Sequence, residues 1–125
     1  MKKPVLAVAL LLVLVPFMDV TAWAGTAMER IAKAGELVVG TSGAQPPMTA
    51  ITKKGEIIGL DADIARAMAA AFGVKITFKI LPFAGLLPAL EAGQVDMILS
   101  GMSITPMRNR KFVFVGPYLV PAREF

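Results

Sequence analysis

Short apolar segments and helical segments alternate along this chain. The run "LVVG" (37–40) is short enough for a buried strand, and "VKITFKI" (74–80) alternates apolar with other residues, as a strand with one buried face does. Between them, apolar residues recur on one face of a predicted helix from Asp61 to Phe72, which Gly73 ends. Strands separated by helices in this order predict βαβ units, and therefore an α/β fold with a mostly parallel sheet and flanking helices.

The other segments extend the same pattern. A helix is predicted over "TAMERIAKAG" (26–35), and another from Gly85 to Ala92, in which Pro88 is tolerated only near the first turn. The stretch "SGAQPPM" (42–48) is predicted to be a loop, because two prolines and a glycine disfavour regular structure. The remaining predicted segments are a polar turn with a short extended piece in "TKKGEIIGL" (52–60) and strands in "VDMIL" (95–99) and "KFVFVG" (111–116).

The loops beyond the carboxyl ends of the predicted strands are where a sheet of this kind binds ligands. One of them, "LSGMSITPMRNR" (99–110), places small hydroxyl and glycine residues directly ahead of Arg108. A solvated surface charge is the usual interpretation of an arginine. The preceding loop, whose backbone N–H and C=O groups no regular structure uses, favours a carboxylate site instead, because a guanidinium holds a carboxylate by two parallel hydrogen bonds.

Other candidate residues have structural interpretations. Asp61 and Asp63 lie two apart on the predicted helix and so point to different sides, which favours capping and the helix dipole over a paired acid and base. Asp96 stands at a strand start and is interpreted as structural. Phe83 is either a core aromatic or the wall of a pocket, since it lies in a strand-to-helix loop.

The first 26 residues, "MKKPVLAVALLLVLVPFMDVTAWAGT", have the pattern of an export signal. Two lysines precede an apolar run, and Ala22-Trp23-Ala24 is a small-x-small cleavage site, so residues 1–24 are predicted to be a signal peptide and the mature chain to begin at Gly25. A membrane anchor is the alternative, but the apolar run breaks at Pro16, short of the roughly 20 residues that a transmembrane helix needs.

The composition after residue 24 excludes several kinds of site. Eleven basic and eight acidic residues remain, a net charge of +3, without the basic and aromatic clustering of a nucleic-acid surface, so no nucleic-acid partner is predicted. Histidine and cysteine are absent, which excludes Ser-His or Cys-His nucleophile systems, and no metal or cofactor is predicted. Residues 25–125 are enough for one small domain.

Four strings together resemble one protein family. They are G-x-D-x-D (59–63), L-x-P-A-L-x-x-G-x-x-D (86–96), G-M-S-I-T-P-x-R (101–108) and F-x-x-P-Y (114–118). Over about residues 35–118 the chain is similar to the amino-terminal lobe of a periplasmic amino-acid-binding protein of an ABC importer. This is the extracellular solute-binding protein family 3, which has the type II periplasmic-binding fold.

The resemblance implies a role for each candidate site residue. Arg108 would grip the α-carboxylate of an amino acid, and the amide of Ser103 would add a second donor. Oxygens at Ser100 and Gly101 would accept hydrogen bonds from the α-ammonium group. Phe83 would stack on the ligand side chain. The first loop, at Ser42 and Gln45, would set selectivity.

Two departures from the family pattern have consequences. Many relatives that bind basic amino acids carry an acid and an aromatic in the first loop, where this chain has Ser42 and Gln45, so lysine or arginine is less favoured. The family continues after P-Y into a second lobe, which supplies an acidic residue for the α-ammonium group. The sequence ends at "LVPAREF", so we expect an amino-terminal lobe truncated at or before the interlobe crossover.

The function implied by the resemblance is that of a periplasmic, non-enzymatic binding component. It would bind an amino acid or related small carboxylated solute, deliver it to an ABC permease in the inner membrane, and be monomeric when complete. Two alternatives stay open: an enzyme like the cyclohexadienyl dehydratases, which resemble this fold, and a binding module of a sensor or a lytic enzyme.

Overall fold

A computed structural model of the protein describes residues 27–120. The predicted signal peptide, its cleavage site and the start at Gly25 lie outside the described residues. Within residues 27–120, no helix has the length and apolar character needed to cross a membrane. The elements are α1 (Ala27–Ala34), β1 (Glu36–Thr41), β2 (Ala44–Gln45), β3 (Thr49–Ile51), β4 (Ile57–Ile58), α2 (Leu60–Phe72), β5 (Lys75–Ile80), α3 (Phe83–Glu91), β6 (Met97–Ile98) and α4 (Pro106–Asn109).

The main sheet has the strand order β5-β1-β6 and is parallel throughout. Alternate residues of β1 face opposite sides of this sheet. Val39 packs in the core cluster with α1 and α2, while the next residue, Gly40, faces α3. A Cβ atom at Gly40 would lie 3.3 Å from Leu86 Cδ2, so the absent side chain lets α3 approach the sheet closely. The predicted α/β lobe, a parallel sheet with flanking helices, is confirmed.

A second, antiparallel sheet, β2-β3-β4, lies in the part of the chain that joins β1 to α2. The sequence predicted a loop over residues 42–48. Within this range the structure has a two-residue strand, β2, which the sequence did not predict. Ala44 and Gln45 pair with Ala50 and Thr49, and this pairing gives the loop a fixed shape. The Pro46-Pro47 peptide bond within the loop is cis.

Helix α2 ends where the sequence predicted. Gly73 has φ 68° and ψ 29°, a left-handed conformation that glycine adopts readily, and its amide caps the last turn by donating to the Ala70 carbonyl. The interpretation of Asp61 and Asp63 as helix caps is wrong, because Gly59 occupies the N-cap position without a side-chain cap. Both acids lie in the first turn, where the helix dipole favours them, and Asp61 is buried there.

Helix α3 begins earlier than predicted. The Pro82 ring fixes φ at −52°, and the Pro82 carbonyl accepts a 2.7 Å hydrogen bond from the Gly85 amide, so the first turn forms at Phe83. Pro88 is therefore the sixth residue of the helix, and the prediction that it lies near the first turn is wrong.

The predicted strand at 111–116 is also wrong. Its side chains alternate as in a strand, with Phe112 and Phe114 half-buried and Val113 and Val115 93% and 89% exposed, but no described strand pairs with its backbone. A groove of about 440 Å³ lies along residues 112–118, between this segment and β6. The groove is also lined by Ile64 and Met68 of α2 and by Leu87 and Leu90 of α3.

Candidate functional site

A cavity of about 480 Å³ opens at the carboxyl ends of β1 and β5. This is the edge of the sheet at which the sequence predicted a ligand site. Three predicted site residues, Ser42, Gln45 and Phe83, lie in its wall. The other lining residues are uncharged as well: Ala44, Ile80, Leu81 and Pro82.

Ser100 joins the first loop to the end of β6. Its hydroxyl accepts a 3.0 Å hydrogen bond from the Ser42 amide and donates to Ser42 Oγ, also at 3.0 Å. Ser100 is 1% exposed, so its hydroxyl is engaged within the protein. The hydroxyl and the backbone carbonyl of Ser100 were the two oxygens that could accept from a ligand. These hydrogen bonds engage the hydroxyl and do not involve the carbonyl.

Gly101 continues this edge and contacts Gln45. Its φ of 57° is left-handed, and a Cβ atom there would come within 3.0 Å of Gln45 Oε1. Glycine is therefore required for two reasons, the backbone angle and the close approach. Gln45 Oε1 is buried and has no hydrogen-bond partner among the described residues, so an unsatisfied acceptor lies beside Gly101.

Arg108 is held in place by its own loop. Thr105 caps α4 by accepting from the Arg108 amide at 3.3 Å, and the guanidinium donates at 2.8 Å to the Ser103 carbonyl. Its Cζ lies 6.0 Å from the centre of the Phe83 ring, at the limit of a cation–π contact. A guanidinium has five N–H donors, so one bond to Ser103 leaves others for a ligand carboxylate.

The predicted site residues do not all line one cavity. Gly101 and Ser103 line a neighbouring cavity of about 460 Å³, together with Met48 and Tyr118. For Ser103, the contact in the structure is its carbonyl with Arg108, and the predicted donation from its amide to a ligand stays a prediction.

Two residues of this region, Asp61 and Tyr118, were not predicted as site residues. Asp61 is 1% exposed and accepts a 2.8 Å hydrogen bond from the Tyr118 hydroxyl. Burial raises the pKa of Asp61, although the bonds from Tyr118 and the Gly101 backbone act in the other direction. Burial and the Asp61 carboxylate raise the pKa of Tyr118 to about 12. Both residues belong to family motifs, but neither motif indicates that they meet.

The described residues contain no cluster of three or more histidine, cysteine, aspartate or glutamate side chains that could hold a metal ion. Asp96, interpreted from sequence as structural, accepts from the Val38 amide at 2.9 Å and pairs with Arg30 at 3.5 Å. It therefore ties β6 to β1 and α1, at the amino end of β6.

The family model of the bacterial extracellular solute-binding proteins, family 3, matches residues 37–125. The chain belongs to this family. A relative from Mannheimia haemolytica, named arginine-binding periplasmic protein, is 39% identical over 64% of this chain and 34% of its own length. A probable amino-acid ABC transporter-binding protein from Haemophilus influenzae is 32% identical over 94% of this chain and 46% of its own length. The chain thus spans about a third to a half of these two relatives.

Solved structures of similar proteins share the fold. An ancestral cationic amino-acid solute-binding protein superposes with a TM-score of 0.73 at 39% identity, over 75% of this chain and 41% of its own. The arginine-bound form of domain 1 of TmArgBP superposes with a TM-score of 0.69 at 37% identity, over 71% of each chain. An ancestral cyclohexadienyl dehydratase has a TM-score of 0.73 at 32% identity, over 77% of this chain and 40% of its own.

Proposed function

We propose that this chain forms the amino-acid-binding lobe of the periplasmic substrate-binding component of an ABC importer. In this proposal Arg108 holds the α-carboxylate, acceptors at Ser100 and Gly101 take the α-ammonium group, and the loaded protein delivers its ligand to a permease of the inner membrane. The observation that carries the proposal is the Arg108 guanidinium, which lies near the ring of Phe83 beside a cavity lined by uncharged residues.

The electrostatics of the cavity support an anionic group at Arg108. The cavity wall contains no carboxylate that would neutralise the guanidinium, and the recorded hydrogen bond of that side chain goes to a neutral carbonyl. A ligand carboxylate would supply the missing negative charge through charge-assisted hydrogen bonds, which are stronger than neutral ones.

Selectivity within the amino acids depends on the first loop. Ser42 and Gln45 offer hydroxyl and amide groups but no negative charge to a basic side chain. The Mannheimia haemolytica relative and domain 1 of TmArgBP are named for arginine, which supports arginine as a ligand here as well. Arginine and glutamine are therefore the two informative ligands to compare.

The second candidate function is that of a cyclohexadienyl dehydratase, favoured by the structural similarity to an ancestral enzyme of that kind. Such an enzyme needs a proton donor within reach of the hydroxyl group that leaves as water. The described residues place no acidic side chain in the wall of the cavity beside Arg108, which favours a binding protein. Substrate turnover by the purified chain, lost in Arg108→Ala, would support the enzyme instead.

To test the proposed function, the purified chain is titrated with a panel of free amino acids and their α-amides. Binding is monitored by changes in NMR chemical shift. We expect saturable shifts with at least one free acid and much weaker binding of its amide. In Arg108→Ala, losing a partly desolvated pair costs about 2 to 5 kcal/mol, or at least about thirtyfold in affinity. Arg108→Lys should recover only part of this, because ammonium lacks the planar fork.

Arg110 provides the matched control, because it is an exposed arginine two residues away, just after α4. Arg110→Ala should shift affinity by less than about 1 kcal/mol. Equal binding of acid and amide by the parent chain, or an Arg108→Ala affinity within about threefold of the parent, would contradict the carboxylate site.

A further inference from the structure

Asp61 is a buried carboxylate to which the site described above gives no role. It is 1% exposed, and its Oδ2 is buried without a hydrogen-bond partner. Among the described residues no lysine or arginine forms an ion pair with it, since Arg66, the basic residue of α2, pairs with Asp63. A buried carboxylate that no cation neutralises costs native stability. This cost is explained if the Asp61 carboxylate positions another part of the protein that function requires.

The surroundings of Asp61 join the ligand loop to the end of the described chain. The Asp61 amide donates to the Met48 carbonyl at 2.9 Å, and its Oδ1 accepts from the Tyr118 hydroxyl at 2.8 Å. Met48 and Tyr118 line the same cavity as Gly101. The Gly101 backbone amide also lies close to both side chains and lowers the pKa of Asp61 and of Tyr118.

Gly101 faces the amino-acid site on its other side. The position of its missing Cβ is 3.0 Å from Gln45 Oε1, and Gln45 lines the cavity with Phe83. Contacts therefore run from Gln45 through Gly101 to Asp61 and Tyr118. Because Gln45 lies close on the other side of Gly101, a shift of the Asp61 side chain would change how the Gly101 peptide is placed against the amino-acid site.

We propose that Asp61 and Tyr118 are positioning residues that hold the Gly101 peptide of the amino-acid site between Gln45 and the segment 112–118. This rests on the proposed function, since the peptide that they hold is one that we assign to the α-ammonium group. The hydroxyl of Tyr118 fixes the carboxylate, and the carboxylate fixes the loop. Neither residue touches the ligand.

The experiment measures affinity and stability separately. L-arginine and L-glutamine are each titrated into the purified chain and its variants by NMR, at a temperature where melting curves show every protein to be folded. Tyr118→Phe, which removes one hydroxyl, should weaken binding by about fivefold, the effect of about one hydrogen bond. Asp61→Ala should weaken it by about tenfold or more, because the carboxylate and both of its contacts are lost. Asp61→Asn keeps an acceptor for Tyr118 and should bind within about twofold of the parent.

Asp63→Asn is the matched control, because Asp63 lies on the same turn of α2 but is exposed and pairs with Arg66. It should leave affinity unchanged. If Tyr118→Phe and Asp61→Ala melt at lower temperature but bind as tightly as the parent, the two residues are structural and the positioning proposal is wrong. If the parent chain binds neither these two amino acids nor any other free amino acid that is tested, the proposed function is wrong. The positioning proposal, which rests on it, is then wrong as well.

Discussion

At the scale of single residues, the site depends on a few small side chains whose neighbours are distant in sequence. Ser42 meets Ser100, and Asp61 meets Tyr118, across 58 and 57 residues. The sequence indicated Ser42 and Ser100 as site residues and placed Asp61 and Tyr118 in family motifs, but it could not indicate these pairings. A sequence pattern fixes spacing along the chain and not contact through space. The burial of Asp61 is the result of one such contact, and it has an effect on stability that depends on pH.

Replacing Asp61 by asparagine should raise the melting temperature at about pH 7 and leave it nearly unchanged at about pH 3. Burial raises the folded-state pKa of Asp61 above its ordinary value of 3.8, so the folded state holds this proton more tightly than the unfolded state. Stability from this group is therefore complete below the unfolded pKa and is lost as pH rises through the folded one. Thermal melts of both proteins across this range are the measurement. Asp63→Asn should not raise the melting temperature at pH 7 relative to pH 3. An increase as large as that in Asp61→Asn would refute the assignment of the effect to Asp61.

At the scale of elements, the sequence predicted best what local pattern decides. Helix α2 and its end at Gly73 follow from apolar spacing and one left-handed glycine. Strand β1 follows from a short apolar run and β5 from the alternation of apolar with other residues. The segment 111–116 has the composition of a strand, but a strand also needs a neighbour, and none of the described strands pairs with it. The start of α3 was missed because Pro82, outside the predicted helix, fixes the first turn.

Two glycine substitutions should have opposite effects on stability. Gly73→Ala places a Cβ at φ 68°, which costs about 1 to 2 kcal/mol, so the melting temperature should fall. Gly85→Ala lies inside α3 with open space around the new methyl group, and should stabilise by about 0.4 to 1 kcal/mol by restricting the unfolded chain. Chemical denaturation gives the free energy of unfolding of each variant. If Gly85→Ala loses as much stability as Gly73→Ala, the left-handed backbone angle at Gly73 is not the reason for the loss there.

At the scale of the whole molecule, both outer edges of the main sheet lack a partner strand among the described residues. Strand β6 pairs with β1, but no described strand pairs with its other edge, where the groove along residues 112–118 lies. Val113 and Val115 are almost fully exposed beside this groove. Unpaired edges and contiguous exposed apolar side chains promote association between molecules.

The purified chain should therefore associate in a concentration-dependent way, and Val113→Lys with Val115→Lys should shift it toward monomer. The two valines are so exposed that charged side chains there should change the melting temperature little. Light scattering coupled to size exclusion measures the mass. Met28→Lys, an exposed apolar position on α1, is the control and should leave association unchanged. Monomeric parent chain at all concentrations would contradict the prediction.

The position of β1 at the centre of the main sheet has a consequence for the order of folding. Its partners are β5, whose first residue lies 39 positions after that of β1, and β6, reached only at Met97. Loops of this length must close before either strand pairing contributes, so contacts distant in sequence dominate and folding is slower than for a helical protein of the same size. The apolar residues of β1 consequently stay uncovered on the β6 side until about a hundred residues have been synthesised. The Ser42 to Ser100 hydrogen bonds, which join the first loop to the end of β6, can therefore form only after nearly the whole described chain has been made.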